Sequence, residues 1–252
     1  MAASRGQRLF AAIHAMDALY HRQILQRALG QYVSPRALSA ITQANLQQDN
    51  LNGLLFHFEY HFDSSRFAES LQYIEDQRIS AAHANSAPQA WAAFGRLTHG
   101  AQDFYAHSNY VALWLEQMPS SPTPSPAMGK SLPPLFAHVA NGAQAGSGWG
   151  LPPLAAIDAL DPMLLKHPRL MTWSVAWFYE FLSIIPGLRS LSRRLAPPNS
   201  HARMNLDYPA AGVLFPYAIE AAVQRTVAEY ERTLALMGEE NGEAKVRAFQ
   251  DK

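Results

Sequence analysis

Apolar residues recur at helical spacing along most of the chain. Leu9, Ile13, Met16, Tyr20 and Ile24 follow one another at steps of three and four, which places them in one stripe on a first helix ending near Gly30. Ser34-Pro35 predicts the start of a second, with serine as cap and proline at the first helical position, running to about Gln48. Ser64 or Ser65 is expected to cap a helix over RFAESLQYIEDQRISAAHA, and Pro88 to open a long one through QAWAAFGRLTHGAQDFYAHSNYVALWLEQ. Near the C-terminus Pro216 opens another, with Ile219, Val223, Thr226, Tyr230, Thr233 and Met237 along one face. Alternating β-branched runs are scarce. The pattern predicts an all-α protein.

The helical pattern lapses over 119–165. PSSPTPSPAMGKSLPPL and NGAQAGSGWGLPP are rich in Pro, Ser and Gly, and predict a long loop insertion that forms a lid or rim over a site. Neither loop separates two complete hydrophobic patterns, so 1–252 is expected to form a single multi-helix domain. The most apolar stretch, Trp173 to Leu188, contains Glu180 and Pro186 and is shorter than the roughly 20 residues of a membrane span. No transmembrane segment is expected. The first apolar stretch is interrupted by Arg8, His14, Asp17 and His21 and does not read as a signal peptide, which implies a cytoplasmic location or a leaderless route of export.

Composition narrows the chemistry. The 252 residues include no cysteine and ten histidines, so a metal site must be built from His, Asp and Glu, and disulfides, iron–sulfur clusters and Cys nucleophiles are excluded. Twenty basic and twenty acidic residues cancel, which disfavours nucleic acid as a partner. The balance is uneven, however. Over 162–206 six basic residues (Lys166, Arg169, Arg189, Arg193, Arg194, Arg203) accompany only Glu180, and they surround Trp173, Trp177, Phe178 and Tyr179. This stretch reads either as a buried helix followed by a solvated basic loop or as a peripheral membrane surface, with arginines beside lipid phosphates.

The candidate chemistry centres on LTHGAQDFYAHSNY. His99, Asp103 and His107 stand at i, i+4 and i+8 and share one face of a helix. The outer two lie roughly 12 Å apart along the axis, so the three serve two neighbouring ions rather than one, with Asp103 as the candidate bridge. Paired metals of this kind clamp the attacking and leaving oxygens of phosphoesters. Asp49, His57, His61 and Asp63, the stripe His14, Asp17 and His21, and the pair His201 and Asp207 supply further groups of the same type.

FGRLTHGAQDFYAHSNYVALW resembles the central segment of the zinc-dependent phospholipase C superfamily, in its Het-C-like bacterial branch, through the pattern L-x-H-x-x-x-D-F-Y-x-H-S-N. Three further segments resemble that superfamily in the same order: His21, Ile24, Ala28 and Leu29; His61, Phe62 and Asp63; and the H-x(3)-N-L-D of His201 to Asp207. The resemblance implies an all-helical enzyme holding two or three zinc ions. Asp49, His61, His99 and Asp103 would surround the first; Asp103 would bridge to a second shared with His21; His107, His201 and Asp207 would hold a third. In secreted members the processed N-terminal residue is itself a ligand. Here twenty residues precede His21, leaving His14 or another group to complete that position. The third-site carboxylate of the family falls four residues after its histidine, where this chain has Asn205, so the role passes to Asp207.

The implied activity is phosphodiester hydrolysis, a phospholipase C reaction releasing phospholipid headgroups by attack of a metal-bound hydroxide, with Asp49 as general base. Tyr105 and Asn109 are candidates to orient ligands or phosphate, and Phe56, Phe58, Phe62, Phe104 and Tyr105 read as core. A non-catalytic Het-C-like interaction module and a tri-zinc nuclease of the same superfamily are the alternatives.

Overall fold

The computed structural model describes residues 18–118 and 151–251, apart from 175, 177, 180, 181, 183, 184 and 186. His14, Asp17, Trp177, Glu180 and most of the expected loop insertion therefore lie outside the described residues. The protein is all-α; among the described residues the extended backbone amounts to the isolated pairings Ser108–Thr172 and Ser174–Ser200.

The helices follow the hydrophobic pattern closely, and their ends follow local chemistry. Helix α1 is Ala18–Leu29. Helix α2, Pro35–Leu46, begins as its sequence dictates: Ser34 is extended and its hydroxyl accepts from the Ala37 amide, with Pro35 in the first turn. A 3-10 turn at Gln47–Asp49 leads into α3, Leu51–Phe56. Helix α4 is Phe67–His83. Its expected serine cap is absent. Arg66 precedes the helix without a side-chain cap, and Ser64 and Ser65 stand in left-handed backbone (φ 56° each), held there because their amides bond to Trp173 O and Thr172 Oγ1, at 2.8 Å each.

Helix α5, Ala87–His107, is the centre of the molecule, buried over almost all of its length from Trp91 to His107. It packs against α2, α4 and the long C-terminal α10, Phe215–Asn241. Two glycines set how close these neighbours come. A Cβ on Gly95 would lie 2.3 Å from Ile41 O, and one on Gly100 would lie 2.8 Å from Tyr60 O. Glycine allows α2 and the turn at Phe58–Tyr60 to touch the α5 backbone. Across the α4–α10 contact, buried Glu229 takes Arg225 Nε and Arg78 Nη2 at 2.6 Å each and Arg232 Nη1 at 3.1 Å. Burial opposes its charge, but the arginines outweigh burial and hold the Glu229 carboxyl below its ordinary value.

The single helix expected from Gln89 to Gln117 is two. Helix α5 ends at His107, Ser108 is extended, and α6 runs Tyr110–Gln117. The break has a cause outside the helix. The His107 carbonyl is taken by the Trp173 amide at 3.0 Å, and the Asn109 amide donates to Met171 O at 3.1 Å. The helical ladder yields to segment 171–174, a long-range partner that periodicity does not register. Before that segment lies the short helix α7 at Pro162–Leu165; after it come α8 at Arg189–Leu195, α9 at His201–Met204 and, beyond α10, α11 at Glu243–Gln250. Within the expected insertion, 151–165 shows only the 3-10 turn Leu154–Ala156 and α7.

Candidate metal centre

The polar stripe of α5 faces inward. His99, Asp103 and His107 are all fully buried, as is His21 of α1. Around this stripe two groups of side chains converge. Asp49, His61, His99 and Asp103 offer four donor atoms all within 4.8 Å of one another; His107, His201 and Asp207 offer three under the same limit.

In the first group Asp103 Oδ2 lies 2.9 Å from His61 Nδ1 and 3.1 Å from His99 Nε2. His61 Nδ1 and His99 Nε2 are 3.1 Å apart, and Asp49 Oδ1 lies 3.3 Å from His99 Nε2 and 3.9 Å from His61 Nδ1. These separations suit one small cation: tetrahedral bonds of 2.0–2.1 Å place ligand atoms about 3.3–3.4 Å apart. A third donor pair adjoins it. The other oxygen of Asp103, Oδ1, faces His21 Nε2 at 3.3 Å, with His21 stacked on His99. In the second group Asp207 divides its carboxylate, Oδ1 to His107 Nε2 and Oδ2 to His201 Nε2, at 3.0 Å each.

The fit to cations shows in what the protein leaves unpaired. His21 Nε2, Asp49 Oδ1 and Asp103 Oδ1 are buried without a hydrogen-bond partner, although burying a polar atom unpaired is costly. All three point into the first group or its His21 extension. A cation is the partner that satisfies several such lone pairs at once. Electrostatics agree. Burial works against ionisation of Asp103, yet His99 and His107 outweigh it and hold the carboxyl well below the usual range. His99 is pushed up to about 10: burial lowers it, but Asp103 and then Asp49 raise it more. Asp207 is likewise held below its ordinary value by His107 and His201 against the effect of burial. The carboxylates surround this space with negative charge, which the raised imidazole of His99 balances in the protein alone.

Backbone bonds fix the second group. Segment 171–174 joins the end of α5 through Trp173 and His107, then joins the start of α9, where Ser174 O accepts from the His201 amide at 3.2 Å. The Leu206 amide donates to Ala106 O at 2.9 Å, which brings Asp207 beside His107. Asn205 turns away, its amide donating to His201 O at 2.8 Å.

Several expected participants stand elsewhere. His57 is half-buried, pairs with Glu59 at 2.8 Å and stacks on Tyr60. Tyr105 hydroxyl donates to Ala159 O, and Asn109 clasps Arg169 O and the Met171 amide; both hold structure rather than orient ligands. Trp173, read with the basic surface, is buried against the His107 and His201 rings. Phe56 is exposed, whereas Phe62, Phe104 and Tyr105 are core. Asp63 is buried beside the centre, and burial pushes it up to about 6 despite His61, His107 and His201. Gln102 and Asn45, absent from the sequence expectations, and Thr226, read there only as part of a helix face, form a buried amide–hydroxyl network against His21. Gln102 carried a signal: it stands three residues after His99, so it neighbours that histidine on the helix surface.

The chain is similar over residues 14–124 to the VWA7 N-terminal domain family. That span contains His21, Asp49, His61, His99, Asp103 and His107 and stops short of His201 and Asp207. No curated protein matches the chain. No solved structure matches it either.

Proposed function

We propose that the protein is a zinc-dependent phosphodiester hydrolase, with a phospholipase C reaction on phospholipid headgroups as its activity. The observation that carries this reading is the four-donor group of two imidazoles and two carboxylates, with Asp103 extending to His21 and a three-donor group a helical turn away. Nitrogen and oxygen donors in this number and without cysteine suit zinc. Asp49, His61, His99 and Asp103 would hold one ion, Asp103 with His21 a second, and His107, His201 and Asp207 a third. Zinc held there supplies Lewis acidity toward a phosphoryl group and lowers the pKa of water.

The chain's own residues divide the remaining work. Asp49 is 11% exposed while its companions are at 1% or less, so it is the member of the first group that solvent reaches. Its carboxylate is the base that takes a proton from attacking water. Asp103 and Asp207 anchor the imidazoles, and Trp173 walls the second group from water by packing on His107 and His201. Support for a lipid substrate comes from 162–206, where Met163, Phe178, Leu191 and Leu195 are exposed among basic residues, the composition of an interfacial surface. Among the described residues no helix is long and apolar enough to cross a membrane, which fits contact at the surface.

The test is release of phosphorylated headgroup from phosphatidylcholine vesicles by zinc-loaded protein, lost in Asp49→Asn and Asp103→Asn. Turnover of single-stranded nucleic acid with none on vesicles would move the assignment to a tri-zinc nuclease. A second reading, a metal-stabilised Het-C-like interaction module, is favoured by the complete burial of His99, Asp103 and His107; zinc binding with no hydrolysis of either substrate would select it.

A further inference from the structure

Resting on the reading of these groups as a metal centre, we infer that Gln102 is a positioning residue that fixes the ring tautomer of His21 and thereby makes its Nε2 a metal donor. The direction of every hydrogen bond in the network follows from two backbone carbonyls. Thr226 spends its one hydroxyl proton on Ala222 O at 2.7 Å, so toward Gln102 it can only accept, and the Gln102 amide nitrogen must face it at 3.1 Å. That places Gln102 Oε1 on the other side, 2.6 Å from His21 Nδ1. Thr98 repeats the device: its hydroxyl donates to Gly95 O at 2.8 Å, so it accepts from Asn45 Nδ2 at 3.1 Å. The second proton of that Asn45 nitrogen goes to Gln102 Oε1 at 3.2 Å.

Gln102 Oε1 therefore presents only lone pairs, and His21 Nδ1 must carry the proton that meets it. The ring's other nitrogen, facing Asp103 Oδ1 at 3.3 Å outside hydrogen-bond geometry, is thereby the one left to bind a cation. A ring nitrogen and a carboxylate oxygen held at that spacing in a fully buried position call for a proton or a metal cation between them. The network belongs to the partner groups that orient ligand imidazoles and set their donor nitrogen, and it spans three helices: Gln102 on α5, Asn45 on α2 and Thr226 on α10.

Two-bond imidazole ¹H–¹⁵N spectra of the full chain labelled in histidine, metal-free at pH 8 and then titrated with zinc sulfate, test this directly. His21 is expected to hold its proton on Nδ1 throughout and to shift at Nε2 as zinc is added. Gln102→Leu and Thr226→Val should weaken the zinc position of His21 and Asp103 about 10–100-fold while the ions of the other two groups stay bound, and Thr226→Ser should behave as wild type. A His21 Nδ1 without its proton in the metal-free wild type, or wild-type zinc affinity in both Gln102→Leu and Thr226→Val, overturns the assignment. If the wild type takes up no zinc at all, the metal-centre reading fails, and the metal-free spectra of the wild type and Thr226→Val still decide the tautomer.

Discussion

His61 and Asp103, 42 residues apart in the chain, meet at 2.9 Å through Nδ1 and Oδ2. The same carboxylate faces His99 with that oxygen and His21 with its other, so in the proposed centre Asp103 would belong to two ion positions at once. Asp103→Asn is expected to lower bound zinc by two ions per chain, whereas Asp207→Asn, confined to the second group, should lower it by one. Elemental analysis of the two purified variants against wild type measures the difference; equal losses would contradict the bridging role.

Candidate ligands drawn from elements between α1 and α9 would make metal binding part of folding. An ion bound at a thousand times its Kd contributes about 4 kcal/mol, and a domain of this size shifts by about 2–4 °C per kcal/mol. Removing metal with EDTA is expected to lower Tm by roughly 8–16 °C, read by calorimetry, with recovery on adding zinc.

Metal uptake should also release protons. In the protein alone His99 is raised to about 10, because Asp103 and Asp49 outweigh the effect of burial, so at pH 7.5 its imidazole carries a proton that a cation must displace. Calorimetric titration with zinc in buffers of different ionisation enthalpy is expected to show at least one proton released per chain, and His99→Ala to release fewer. Uptake without proton release would show that protons do not hold this space in the metal-free chain.

Away from the centre, Glu229 predicts an acid limit. Its folded pKa lies below its ordinary 4.5, since Arg225 and Arg78 outweigh burial. A depressed carboxyl contributes stability that is present above its unfolded pKa and lost as pH falls through the folded one. Metal-free wild type should therefore lose Tm steeply below about pH 4.5, and Glu229→Gln should start lower and fall less. Leaving Arg225 and Arg78 without their anion is expected to cost about 3–5 kcal/mol at pH 7, measured by urea unfolding.

Gly95→Ala tests the packing that aligns α5 with α2. The new methyl would press on Ile41 O at 2.3 Å and Ala44 Cβ at 2.8 Å, neither of which yields without backbone movement. A loss of about 1–3 kcal/mol is expected, together with weaker zinc binding at the first group, since α5 carries His99 and Asp103.

Much of this was legible in the sequence where the signal was local. The Ser34-Pro35 start of α2 and the Pro216 start of α10 are chemical statements made within one turn, and both helices begin there. The i, i+4, i+8 stripe of α5 likewise announces a shared face whose outer members serve different groups. What was not legible depends on partners far along the chain. Ser64 and Ser65 look like helix caps until Thr172 and Trp173 take their amides. The end of α5 at His107 needs the same segment. Gln102 and Thr226 are ordinary helix residues until α1, α2, α5 and α10 come together around His21. Asp207, rather than Asn205, reaches His107 because the Leu206 amide is tied to Ala106 O.

The tie between segment 171–174 and the end of α5 also sets an order in time. Every donor of the first group and of its His21 extension precedes residue 104, whereas the second group waits for His201 and Asp207, about 100 residues later in synthesis. At ribosomal speeds that interval is roughly 5–20 s. His107 thus leaves the ribosome long before the residues that share its group, and the His21 side waits longer still, since Thr226 of α10, which holds Gln102, is made after both.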